Sequence, residues 1–455
     1  MVCGGIVNHS ICDTFHPFVH RLSPWATLLD YFSHEHRLLF VVSAGNIFRP
    51  YPVPVFDTIA HFQDAAPEVR EAALIAAIEQ SKGTRRLLTP AESINALTIG
   101  AVHGDNGPKT PAAGIDPYPN RTGLTSLVSA LGLGANRSVK PDLVERGGRF
   151  LAAPSIGQDG FVQVHGEASF HVGQLVATPS PAAGDNAHVH RTSGTSNATA
   201  LTTRSSHFIA DALDEVFTAE RVDWTTLETR AVLLKALLAH GCAWGDTGEF
   251  LDRYYPPQEQ YTGQRRRQTI TRFLGYGQPD HGRVVRGDLH RITLLGEDQI
   301  RSERRHDYRL PIPPSMINTR EVRRIVLTLA WTTPVTNRTV DYRGVVLKIC
   351  NPEGKSAFWE GVKRSEICQP TGSTANRGTL IHAVLEGKKL VTNEDGQLIV
   401  CVQAAQTHKD LATVHVPYAF AITIEMAQSQ QSRLYAEVSA VVRAAVRPAI
   451  RAGTR

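Results

Sequence analysis

Two continuous apolar runs, LLFVVSA (38–44) and INALTIGAV (94–102), constrain the fold more than any other feature of the chain. Each has the length of a strand, and neither alternates apolar with polar residues. Such runs belong in a sheet covered on both faces, which is the habit of parallel sheets. Residues 5–10 read as a third, shorter strand. Helical patterns fall between them: 23–33 opens with Pro24 at its first position, and 67–80 opens with Pro67. Further on, Ala198, Leu201, Ser205, Phe208, Ile209, Ala212 and Val216 recur at helical spacing and predict a helix over 196–217. A second helix is expected over 226–240, with its stripe at Leu227, Ala231, Leu234, Leu237 and Leu238, packed beside the first. Strands alternating with helices give an α/β unit with a mainly parallel sheet flanked by helices.

Past residue 288 the pattern changes. Short β-branched runs at 325–331, 345–349, 379–385, 397–403 and 418–425 are separated by turn-rich pieces such as NPEGK and NEDGQ. An all-β sandwich is expected there, ending in a helix that contains Arg443, Arg447 and Arg451. The chain of 455 residues is therefore read as two domains, 1–287 and 288–455. Pro- and Gly-rich pieces at 48–54, 104–120 and 177–185 read as surface insertions.

The totals remove several classes of function. A net charge of +5 is small for this length, and the basic clusters Arg265, Arg266, Arg267 and Arg301, Arg304, Arg305 have polar or acidic neighbours. They read as solvated faces, so no nucleic-acid partner is expected. No apolar run approaches the ~18 residues of a membrane span, and MVCGGIVNHSICD lacks the features of a signal peptide. The six cysteines are far apart with no CxxC pair, which fits a reducing, cytoplasmic setting without metal or disulfide frameworks.

Chemistry concentrates at SGTSNAT (193–199), where a Gly-Thr-Ser turn runs straight into the 196–217 helix. Unpaired N–H groups and the helix dipole favour negative charge there, so a Ser196 hydroxyl could attack a carbonyl beside donors for the oxyanion. The plain alternative is that the serine caps the helix. VVSAGN (41–46) ends a buried strand with Gly45 and Asn46, at the edge where open α/β sheets bind ligands. The Asn46 amide could donate to an oxyanion or serve only as a turn residue. KPDLVERGG (140–148) reads as a turn-rich segment.

Together, IVNHSICD, VVSAGN, NALTIGAV, KPDLVERGG, SGTSNAT and LLKALLAHGCAW with GYG, in this order, resemble the motifs of subtilisin-like serine proteases, the subtilases. The resemblance covers about residues 5–285. It implies Ser196 as nucleophile, Asn46 and the Ser196 N–H as oxyanion donors, and a peptide cleft lined by Ser10, Ile11, Cys12 and Gly45. It also implies that the pieces around 48–93 and 150–185 are insertions. Locally, Ala200 stands where the family has Pro, Arg146 replaces the Pro of a Pro-Gly turn, and Cys12 replaces a small Gly. Calcium sites occur in the family, but no ligand set is assigned here and no other cofactor is expected.

The larger departure is upstream. The family's triad runs Asp, His, Ser, yet the 45 residues before Asn46 contain neither an Asp-[Ser/Thr]-Gly strand end nor a His-Gly-Thr helix start. His188 and His190 are near Ser196 in sequence but have no evident Asp partner, and His207 would point along its own helix. The expectation is thus a serine endopeptidase lacking the N-terminal part with Asp and His, and inactive as this chain alone. Three alternatives follow: that part is truncated away, it is supplied by another chain, or it is lost in a non-catalytic module that binds peptides or partners. The absent strands would lie beside 5–10 and 38–44, leaving an apolar edge. Finally, RRIVLTLAWTTPV, VPYAFAITIE and RLYAEVSAVVRA resemble the sandwich of large bacterial intracellular subtilases, which implies an AAA-type ATPase as a possible partner.

Overall fold

The computed structural model describes residues 5–108, 113–180, 184, 187–254, 263–286, 290–311, 323–336, 341–350, 363–364, 369–387 and 397–426. The expected C-terminal helix, RLYAEVSAVVRA, NPEGK and all of NEDGQ but its last residue lie outside them.

Four parallel strands form the first sheet: β1 (Ile6–His9), β2 (Leu39–Ser43), β3 (Leu97–Val102) and β4 (Leu143–Arg146), in that order across it. Every residue of β2 and β3 is buried, which is why neither run alternates. The segment KPDLVERGG, expected as a turn, supplies β4 instead, in parallel register with β3 from Ile99↔Leu143 to Val102↔Arg146. Its polar residues anchor it to β3. Asp142 Oδ2 accepts from the Thr98 N–H (2.8 Å) and from Lys140 Nζ (2.6 Å), and Lys140 also donates to the Ala96 carbonyl (2.9 Å). A second correction concerns the sheet edge. Of these two strands only β1 lies at an edge of the sheet, because β2 is paired on both sides, by β1 and by β3.

Helix α1 (Pro24–Glu35) starts as the sequence suggests, with Ser23 Oγ accepting from the Ala26 N–H (3.0 Å) and Pro24 in the first turn. Helix α2 spans Pro67–Gln80. Helix α3 (Thr195–Ala219) crosses all four strands of the parallel sheet, and its buried face differs from the expected one. Ala198, Thr199, Thr202, Ser205, Ser206, Ile209, Ala210 and Leu213 are buried, while Phe208 and Val216 stay exposed. Small hydroxyl residues let the helix lie close on the sheet. They satisfy themselves inside by bonding back along the helix: Thr199 Oγ1 donates to the Thr195 carbonyl (2.7 Å) and Thr202 Oγ1 to that of Ala198 (3.0 Å). Helix α4 (Arg230–His240) starts four residues later than expected. Asp223 accepts from the Thr225 N–H and hydroxyl and closes a separate 3-10 turn, Trp224–Thr226, ahead of it.

The C-terminal region is antiparallel. Its strands are β5 (Arg291–Arg301), β6 (Arg305–Pro311), β7 (Arg323–Trp331), β8 (Val345–Cys350), β9 (Leu380–Gly387), β10 (Gln397–Gln406) and β11 (His415–Met426). One sheet runs β5-β11-β7-β9 with the two-residue strand Lys363–Arg364 at its end; the other runs β6-β10-β8. The two share one apolar cluster, including Ile300, Leu329, Trp331, Leu347, Val400 and Ile422.

Helix α4 joins the two regions. It is buried from Ala231 to His240, touching α3 and β2 on one side and β7 and β11 on the other. Polar groups in this seam are matched one to one. His382 Nε2 meets the Cys242 carbonyl (3.1 Å), which can only accept, so that nitrogen carries the proton. It follows that the Thr328 hydroxyl donates to His382 Nδ1 (2.8 Å), His240 Nδ1–H to Thr328 Oγ1 (2.8 Å), and the Thr423 hydroxyl to His240 Nε2 (2.6 Å). Burial holds His240 well below its usual range, in keeping with a neutral ring in this chain of bonds.

Candidate active site

The ends of β2 and β3 and the start of α3 meet at one edge of the parallel sheet. After β2 the chain turns at Gly45, which has a φ of 105°; a Cβ there would lie 2.6 Å from Leu88 Cγ, so only glycine fits. The Gly45 carbonyl accepts from the Ala130 N–H (3.0 Å). That turn delivers Asn46, whose backbone bridges to Ser129. Opposite it, Gly194 has a φ of 148° and donates its N–H to the Gly147 carbonyl (2.7 Å). A Cβ on Gly194 would sit 2.9 Å from Asn46 Nδ2, so glycine is what lets the helix start approach that amide.

The first N–H groups of a helix have no acceptor within it. In α3 the Thr195 N–H is taken by Asn46 Oδ1 (3.0 Å), and Thr195 Oγ1 donates to the same oxygen (3.0 Å). Because a backbone N–H can only donate, the Asn46 amide oxygen must face Thr195 and its NH2 must face away from it. The N–H groups of Asn197 and Ala198 point to the Gly194 carbonyl (3.2 and 3.4 Å). The N-cap is Gly194, which has no side chain to cap with, so Ser196 is not the capping residue. Its half-buried Oγ donates to the Ser10 carbonyl (3.3 Å).

Ser10, Asn46 and Ser196 are thus brought to one place. Gly45 lies buried beneath, as the turn that aims Asn46. Ile11 is 67 % exposed. Cys12 is occupied elsewhere: its thiol meets the Ser43 carbonyl (3.2 Å) and Ser43 Oγ (3.1 Å). Burial, offset only in part by the bond to Ser43, pushes this thiol up to about 11, so it keeps its proton at neutral pH.

Among the described residues, no histidine lies within hydrogen-bond distance of Ser196 Oγ. His188 and His207 are exposed, and the His190 ring stands edge-on to Phe170 at 5.3 Å. Asp–His pairs exist elsewhere among the described residues: four lie toward the surface, His16–Asp13 (2.6 Å), His61–Asp57 (3.0 Å), His306–Asp298 (3.4 Å) and His408–Asp410 (3.3 Å), and one is buried, His103 Nε2–Asp116 Oδ1 (3.0 Å). Asp116 also pairs with Arg149 Nη1 (3.1 Å), and Arg149 Nε pairs with Asp105 (3.0 Å). Although burial works against them, bonds from Arg149 and from backbone N–H groups hold the Asp105 carboxyl below its usual range. The Arg149 carbonyl in turn accepts from Ser193 Oγ (2.8 Å), which ties the turn before Gly194 to the segment after β4 and, through Asp105, to that after β3. Thr195 and Arg149 are the two positioning residues that sequence reasoning passed over. Thr195 stood inside the quoted SGTSNAT, whereas nothing local marked Arg149. No group of three or more His, Cys, Asp or Glu side chains among the described residues could hold a metal ion.

No helix among the described residues is long and apolar enough to cross a membrane. Over 449 residues, spanning 93% of this chain and 92% of the other, the chain is 24% identical to the uncharacterized protein y4bN of Sinorhizobium fredii (strain NBRC 101917 / NGR234). Residues 5–277, more than half the chain, match the subtilase family. That span takes in the four parallel strands, the Asn46 turn and the Gly-Thr-Ser start of α3, and the chain belongs to the subtilase family of proteases.

Proposed function

We propose that this chain is the serine-bearing part of a subtilisin-like endopeptidase, hydrolysing peptide bonds through an acyl-enzyme on Ser196. One observation supports this above the others: Thr195 fixes the Asn46 amide through two bonds to its oxygen, so that its NH2 faces away from Thr195 and is left to donate, with the first-turn N–H of Ser196 as the second donor in this reading. Two such donors suit the oxyanion of a tetrahedral intermediate. The peptide would lie extended along Ser10 to Cys12, with main-chain bonds to that edge.

The nucleophile needs a general base, and no described histidine reaches it. In this reading Asp and His come from a segment outside these 455 residues or from another chain, and the chain by itself turns over no peptide. Losing members of such a triad costs several orders of magnitude in rate.

The test is labelling with a fluorophosphonate, read by mass spectrometry. The folded chain alone is expected to remain unlabelled at Ser196. Co-expression with a polypeptide carrying the Asp-[Ser/Thr]-Gly and His-Gly-Thr motifs is expected to switch labelling on, and Ser196→Ala to abolish it. In that assembled form Asn46→Leu should lower kcat ~10²–10³-fold, the loss typical of removing one oxyanion-hole donor in a subtilisin, with KM little changed. A complex that forms yet leaves Ser196 unlabelled would instead favour a non-catalytic, partner-binding module.

A further inference from the structure

Cys350 ends β8 and Cys401 lies within β10, and the two are direct register partners in that antiparallel pair. Residues directly opposite on antiparallel strands have Cα atoms ~4.5–5.5 Å apart, within the ~4.4–6.8 Å over which a disulfide closes. Both side chains lie on the same face. Val345 and Leu347 of β8 and Leu398, Val400, Val402 and Ala404 of β10 fill the shared core, so the alternate positions 350 and 401 point out of it. Both are free thiols, Cys350 half-buried and Cys401 buried, and the Cys350 thiol is directed at the Cys401 carbonyl (3.8 Å). On the far side of Cys401 the same rung continues to Asp307 of β6, its register partner.

The chemistry of the two sulfurs is unequal. The neighbouring Cys401 side chain and the Arg305 guanidinium draw the Cys350 thiol below its usual value, against the effect of burial. Cys401 is pushed up by the neighbouring Cys350 side chain, by burial and by Asp307. One thiol is thus both the more exposed and the more readily ionised, and the other is held against it.

We propose that Cys350 and Cys401 are a redox-active pair that closes into a cross-strand disulfide, with a small disulfide such as oxidised glutathione as the oxidant. The Cys350 thiolate attacks one sulfur of the oxidant; a mixed disulfide forms and one glutathione leaves as thiolate, taking up the proton that Cys350 released. Cys401 then attacks the Cys350 sulfur, expels the second glutathione and passes it its own proton. Two protein thiols are oxidised and one glutathione disulfide is reduced to two thiols. The bond would link β8 to β10 on the face away from the core.

The whole chain, incubated with oxidised glutathione, alkylated with N-ethylmaleimide and digested without reductant, should yield one cross-linked peptide joining Cys350 to Cys401. Cys401→Ser should stop the sequence at glutathionylated Cys350, and Cys350→Ser should leave Cys401 as the free thiol. The proposal fails if the wild-type chain keeps both thiols open to alkylation, or if Cys350 pairs with Cys368 or any other cysteine. It also fails if Cys401 is glutathionylated as fast without Cys350 as with it. The wild-type cross-link decides the matter even if a variant does not fold.

Discussion

At the scale of single residues, the site edge contains two polar side chains with opposite fates. Asn46 is clamped by Thr195 through its oxygen, which spends one end of the amide and leaves the other free to donate. Cys12 stands in the same neighbourhood but is turned onto Ser43 and half-buried, so its thiol is held at about 11 against an ordinary 9.0. At pH 8 its thiolate fraction should be about a hundredfold below that of an unperturbed cysteine, since each pKa unit is a factor of ten. Iodoacetamide alkylation, followed peptide by peptide in the mass spectrometer, checks this: Cys12 should react far more slowly than the same cysteine in the urea-unfolded chain. Equal rates would show that Ser43 and burial do not hold it.

At the scale of elements, α4 is decisive because it is apolar all round and yet contains a lysine. Lys235 is buried, its Nζ donating to the Asn95 carbonyl (2.9 Å) and Thr379 Oγ1 (2.8 Å), with no carboxylate directly on it. Burial is the main cause that lowers its pKa to about 7 from 10.5. Below pH 7 both the folded and the unfolded chain hold the proton, and folding bears the full cost of the buried ammonium. Between pH 7 and 10.5 the folded chain has shed its proton while the unfolded chain still binds it, so stability from this group rises with pH. Above that range the contribution is flat. Lys235→Met removes the group. The stability of wild type relative to this variant, from urea unfolding, should therefore climb between pH 7 and 10 and stay level below pH 6. A difference independent of pH would mean that Lys235 keeps its proton throughout.

At the scale of the molecule, the subtilase region and the antiparallel region have one interior between them. The apolar cluster around α4 also includes Ala330 of β7, Leu380 of β9 and Ala419 and Ala421 of β11. Around it, Tyr276 donates to the Leu380 carbonyl and Asn95 Nδ2 to that of Thr333 (2.8 Å). Removing the antiparallel sheets would uncover one side of a helix whose Leu233, Leu234, Leu237 and Leu238 are buried, each worth ~1.5–3 kcal/mol. Such a loss rivals the whole stability of an ordinary domain. A fragment of residues 1–287 is accordingly expected to lack a cooperative urea transition and to bind a hydrophobic dye, while the whole chain unfolds cooperatively. A fragment that unfolds as sharply as the whole would show that α4 does not need its second cover.

The local signals determined a good deal. Continuous apolar runs gave β2 and β3 because a strand covered on both faces has no solvent side, and short β-branched runs gave β7 to β11. The order of short motifs led to the family and to Ser196, Asn46 and Ser10. Properties that depend on which residues meet across the chain were not legible. KPDLVERGG looked like a turn because its polar residues find their partners only on β3, 44 positions away in the case of Thr98 and Asp142. The buried face of α3 was misread because periodicity ranks residues by hydrophobicity, whereas a close approach to a sheet selects for small size. The clamp on Asn46, the Arg149 bridge and the burial of α4 on both sides were likewise decided only by tertiary structure, because each joins groups that no local pattern could bring together.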